Sequence, residues 1–99
     1  MTRIHITGEL TIYQVSEIKQ TLQQALEQSQ QTLSPLELDL AGVSEIDGAG
    51  MQLLLATANT VAETEINLTL HNAPPVLLNL FQTYHINNRF TLIQETANE

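Results

Sequence analysis

Residues 36–55, LELDLAGVSEIDGAGMQLLL, decide the fold. Leu36, Leu38 and Leu40 alternate with Glu37 and Asp39, the period of two that marks a strand with one apolar and one wet face. From Met51 the apolar residues fall at helical intervals instead, and Leu54, Leu55, Ala58 and Ala62 continue that stripe. Between the two patterns stands Asp47-Gly48-Ala49-Gly50, a loop poor in side-chain atoms at a strand-to-helix junction. Such junctions are where α/β proteins often carry functional groups. A catalytic site, a phosphate cradle and a docking surface are the readings it invites.

Upstream, Ile4 and Ile6 alternate with Arg3, His5 and Thr7, and after Gly8 the alternation resumes at Leu10 and Ile12. This predicts two short strands joined by a turn. From Tyr13 the period changes, and Val15, Ile18, Leu22, Ala25 and Leu26 share one side of an amphipathic helix. Pro35 breaks the polar loop that follows. Downstream, Ile66, Leu68 and Leu70 alternate as a strand, Asn72 is placed to cap a helix with Pro74 and Pro75 near its first turn, and Leu77, Leu80, Phe81 and Tyr84 form a third stripe. A last strand spans 90–93, and residues 95–99 read as a frayed tail after a single domain at 1–94.

Strands buried on both faces are continuously apolar, whereas these alternate, so the helices are expected mainly on one face. The fold class is therefore α/β: one compact domain with a mixed, mostly parallel sheet of about four to five strands.

With 99 residues and 42% hydrophobic content the chain suffices for one core, and its apolar runs are too short to cross a bilayer. No secretory signal is visible and there is no cysteine, so a soluble, cytoplasmic protein is expected. Three Lys+Arg against eleven Asp+Glu give a formal charge of -8. Nucleic-acid binding, which needs several cations facing phosphates, is excluded, and anionic membrane surfaces are disfavoured on the same ground. A protein partner with a basic face fits better.

Gly48 and Gly50 sit where a dinucleotide fingerprint has its first glycines, but the third would fall on Leu53, and no Gly-Lys-Ser/Thr triplet supports a P-loop. Asp39, Glu45 and Asp47 offer carboxylates, yet His5, His71 and His85 lack the i, i+3 or i+4 spacing of paired ligands. The plain reading puts Glu37 and Asp39 on a wet strand face and Asp47 at a helix cap. Ser16, Ser29, Ser34 and Ser44 have no nucleophile elbow or paired base. Neither an enzyme nor a metal or other cofactor is expected. A helix N-terminus on a short loop remains, with free N–H groups facing outward.

GELTIY (8–13), the 36–55 stretch and LTLHNAPPVLLNLF (68–81) together resemble the STAS domain, the fold of bacterial anti-sigma factor antagonists. The central pattern D-L-x-x-V-x-x-[IM]-D-[ST]-x-G-[LM]-x-x-L-L is matched by Asp39, Val43, Ile46, Asp47, Gly50, Met51, Leu54 and Leu55. The resemblance implies a non-catalytic partner switch that binds a GHKL-type kinase or another regulator through the loop and the following helix. It also exposes a departure. Phosphorylation-regulated relatives carry an acceptor serine just before the glycine, where this chain has Ala49, and Gly48 stands where some offer a hydroxyl. A phosphate there adds about -1.5 to -2 charge and expels a partner; alanine cannot take one.

The expected function is thus a constitutive docking adaptor. Its partner-binding residues are Asp47, Gly48, Ala49, Gly50, Met51 and Gln52, with core as the plain alternative for Met51. The partner is a kinase, an anti-sigma factor or a chemotaxis-type regulator. Alternatives are the cytoplasmic subunit of a phospholipid-transport ABC complex, bound to its ATPase, and a nucleotide- or lipid-sensing domain. Ser44 is a conceivable but unsupported phosphorylation site. With no large apolar patch evident, the chain alone is expected to be a monomer.

Overall fold

The computed structural model describes residues 2–86 and 89–95. Along the chain these form β1 (Thr2–Leu10), α1 (Val15–Thr32), β2 (Leu36–Ile46), α2 (Gly48–Ala62), β3 (Leu68–His71), α3 (Pro75–Thr83) and β4 (Thr91–Ile93). Among the described residues the strands make one sheet in the order β1-β2-β3-β4, every neighbouring pair parallel. Sequential parallel strands joined by right-handed crossovers place every crossover helix on the same face. Burial agrees: Leu36, Leu38, Leu40 and Leu70 share one cluster with Leu22, Leu54, Leu77 and Phe81 of the helices. The other face carries Arg3, His5, Glu37, Asp39 and His71. The α/β class, the strand count and the one-sided helical layer are as expected.

The hairpin is not. Residues 2–10 form one strand, because Gly8 takes φ 85, open to a residue without a Cβ, and the chain bends there without reversing. The sheet is consequently all parallel rather than mixed. Register slips between His5 and Thr7 and between Gly8 and Glu9, where β2 spends an extra residue each time. Each extra residue shifts the side-chain alternation by one step. That is why Leu36, Leu38 and Leu40 are followed in the core by Val43 and then by half-buried Ile46, at intervals of three.

Ile12, expected on the apolar face of a second strand, is 65% exposed at the tip of a turn. Asn72 does not cap α3; the cap position is Pro74, with Pro75 beginning the helix. Asn72 adopts φ 60 instead, and its side chain accepts from the Glu95 N–H (2.8 Å) and donates to Glu95 Oε1 (3.0 Å). Asparagine tolerates this left-handed conformation better than most residues. Gln94 pairs its amide with both backbone groups of Ala73 (3.0 and 3.1 Å). The segment after β4 is therefore tied to the end of β3 as far as Glu95, while residues 96–99 of the expected tail lie outside the described residues.

The helices differ in depth. α2 buries Gly50, Met51, Leu53, Leu54, Thr57, Ala58 and Val61, and Thr57 satisfies its own hydroxyl on the Leu53 carbonyl (2.8 Å). α1 buries only Leu22 and Ser29 fully, as befits an outer helix. No helix among the described residues is long and apolar enough to cross a membrane. Phe81 of α3 is fully buried and stacks at 4.9 Å, tilted, on Phe90 just before β4. Phe81→Ala is expected to lower unfolding free energy by about 3–5 kcal/mol, read as a fall in urea midpoint at unchanged slope.

Candidate functional site

Asp47 links the end of β1, the loop and α2. Its backbone is extended (φ -125, ψ -172), which turns the side chain back over the first helical turn. Oδ1 accepts from the Gly50 N–H (3.1 Å) as the N-cap, and Oδ2 accepts from the Ile12 N–H (3.0 Å) across the loop that follows β1. Its own N–H donates to the Leu10 carbonyl (3.3 Å), and its carbonyl receives the Met51 N–H (2.9 Å). Donation from Ile12 first, then from Gly50 and Ala49, holds the Asp47 carboxyl below its ordinary range.

The loop's two glycines are not equivalent. A Cβ on Gly50 would lie 1.9 Å from the Leu10 carbonyl oxygen, so α2 can start against β1 only with glycine there. A Cβ on Gly48 would meet nothing within 4 Å. Gly48 and Gln52 are exposed, Asp47 and Ala49 half-buried, while Gly50 is buried and Met51 only 6% exposed, against the core. The six expected site residues thus divide into an outward set (Asp47, Gly48, Ala49, Gln52) and an inward pair. No hydroxyl occupies position 49. The exposed β1–α1 turn that carries Ile12 and Tyr13 joins the loop through Asp47. Two large apolar residues at a turn apex are its sequence signal, masked by the apparent continuation of strand alternation.

The carboxylates and histidines gather elsewhere, on the helix-free face. Arg3 binds Glu95 through both guanidinium nitrogens (2.9 and 3.2 Å) and stands 3.7 Å from Glu37 and from Asp39. His71, 4% exposed, meets Glu37 Oε1 through Nε2 at 2.6 Å, and His5 Nδ1 lies 3.8 Å from Asp39. Register brings them together: Arg3 faces Glu37, and His5, Asp39 and His71 share one row. Among the described residues no three His, Asp or Glu side chains converge as metal ligands do; the arginine fills the centre as an ion-pair hub. Glu45 and Asp47 are not part of this group, and His85 lies in the turn after α3.

Ligand crevices in open α/β sheets form where strand order reverses. A β1-β2-β3-β4 order never reverses, so what this fold presents at its strand ends is a surface of loops.

The family model described as "Mlab, STAS domain" matches residues 1–94. No curated protein matches the sequence. Among solved structures, one described as the anti-sigma factor antagonist SpoIIAA in its unphosphorylated form superposes with a TM-score of 0.69 at 19% identity, covering 96% of this chain and 79% of that one. At that identity the likeness is one of fold.

Gly50→Ala is expected to cost more than about 3 kcal/mol, since a backbone oxygen blocks the added carbon, whereas Gly48→Ala should stabilise by about 0.4–1 kcal/mol. Thermal melts of the two single variants check the contrast. A depressed carboxyl stabilises the fold above its unfolded pKa, and that contribution disappears as pH falls through the folded value. The stability gap between wild type and Asp47→Asn, which keeps a capping oxygen but no charge, should therefore be open at neutral pH and close on acidification. A gap that stays constant with pH would contradict this.

Proposed function

The chain belongs to the STAS domain family, and on that footing we propose that it is a non-catalytic adaptor that binds a protein partner through Asp47, Gly48, Ala49 and Gln52. The partner is a GHKL-type kinase, an anti-sigma factor or a chemotaxis-type regulator. The observation that carries the reading is the open ground above Gly48 beside a helix start fixed by Asp47: a partner can approach the backbone closely, and nothing there needs to reorganise. Gly50 and Met51 act from beneath by setting where the helix begins.

Ala49 supports constitutive docking. With no hydroxyl to phosphorylate at this position, the charge that would repel a partner has no point of attachment. The same feature favours a second reading, a permanent cytoplasmic subunit held on the ATPase of a phospholipid-transport complex. In both readings the protein works in the cytoplasm and is a monomer before it binds.

Affinity capture from cytoplasm and from detergent extract, with wild type beside Gly48→Arg, tests the proposal. The arginine enters open space, so the fold should survive while the approach is blocked. A kinase or regulator recovered by wild type and lost with the variant is the expected result. A membrane ATPase with its transport subunits would select the second reading. Identical recoveries would show that the loop is not the docking surface.

A further inference from the structure

The turn after β1 is built against the usual rule. The Thr11 carbonyl accepts the N–H groups of Gln14 and Val15 (2.9 Å each), which leaves Ile12 and Tyr13 at the apex. Turn apices favour Gly, Asn, Asp, Ser and Pro, because these suit the backbone and water. Here two of the chain's bulkiest apolar side chains stand out instead, Ile12 65% and Tyr13 90% exposed. Their side chains contribute little to the core. What the fold does secure is their position, since the Ile12 N–H is held by Asp47 Oδ2 and the turn cannot move independently of the loop.

The surroundings carry one sign of charge. Glu9 and Glu45 face each other at the ends of β1 and β2, Glu17 sits in the first turn of α1, and Asp47 is bonded to the turn through the Ile12 N–H. Of the three basic residues, Arg3 is engaged with Glu37, Asp39 and Glu95, Arg89 bonds Asn59, and Lys19 lies two residues beyond Glu17, about 200° around α1 from it.

We propose that Ile12 and Tyr13 form an apolar knob that inserts into a socket of the partner protein, and that the socket is rimmed by arginine or lysine side chains facing Glu9, Glu17, Glu45 and Asp47. This rests on the docking-loop reading and specifies the partner's chemistry. Tyrosine is among the residues that dominate interface energetics, because a large rigid ring is buried at low entropic cost. The open ground over Gly48, next in sequence to the Asp47 that holds the Ile12 N–H, gives the socket's wall room to descend. A second copy of this chain is a poor occupant, since a twofold contact would set these carboxylates against their own kind. Anionic lipid and nucleic acid fail for the same reason.

The test uses three baits in one extract: wild type, Gly48→Arg and Tyr13→Ser. The protein recovered by wild type and lost with Gly48→Arg is identified, purified and titrated against each bait over a salt series. Tyr13→Ser should keep the wild-type melting temperature, because its ring lies outside the core. It should weaken binding by about 30-fold, and wild-type association should slow as salt rises. Binding of Tyr13→Ser within about twofold of wild type overturns the knob and leaves the loop reading intact. Tight binding without salt dependence overturns the basic rim. If no protein distinguishes wild type from Gly48→Arg, both the loop reading and this extension fall.

Discussion

The closeness of α2 to the end of β1 is the constraint from which the rest of this architecture follows. Gly50 lies against the Leu10 carbonyl with no room for a single added carbon, and Asp47 closes the same junction with both carboxylate oxygens. Because the helix starts there, Met51 and Leu54 enter the core above β1 and β2, and the loop has nowhere to go but outward. The contact is made of backbone, a carboxylate and a missing side chain, so it cannot relax by changing rotamers.

The topology then determines what kind of site is available. Among the described residues the sheet is wound in one direction, with its helices on one side and no reversal of strand order, the feature at which doubly wound folds form their nucleotide crevice. Among the described residues the opposite face is free of helices and carries a polar network in which Arg3 reaches three carboxylates and His71 Nε2 meets Glu37, while the buried His71 Nδ1 is left without a hydrogen-bond partner. β1 and β2 stay paired as far as Leu10 and Ile46, whereas β3 follows β2 only as far as Asp39, so the two strands run on together beyond the shorter ones and bring the Asp47 loop to a tip.

Much of this was legible because it is local. The alternation at Leu36 to Leu40, the helical stripes and the cap at Asp47 follow from side-chain periods and from a carboxylate's reach to N–H groups three residues on. The hairpin at Gly8 was misread because a glycine between two alternating runs looks the same whether the chain reverses or kinks; a partner strand decides, and the partner, β2, is distant in sequence. The bulges did leave a trace, the change from intervals of two to intervals of three after Leu40, which a strict two-residue template discards. The gathering of His5, Asp39 and His71 left none, since it depends on the register of three strands. Asn72 was read as a helix cap for its chemistry, and its chemistry is indeed used, but on a segment that returns to it 23 residues later.

The two glycines of the loop separate fold from function more sharply than the motif that contains them. Gly50 is demanded by the fold, and its presence says nothing about a partner. Gly48 is not: its backbone lies outside the left-handed region, and a side chain there would project into free space. Glycine at a helix's first position gives up conformational entropy for no packing return. A residue that the fold does not require, next to a turn whose apolar apex the core does not use, is what supports the docking surface proposed above. On the reading proposed above, Ala49 completes that surface: with no hydroxyl at position 49 a phosphate has no attachment there, and docking would then rest on shape and on the standing field of the surrounding carboxylates.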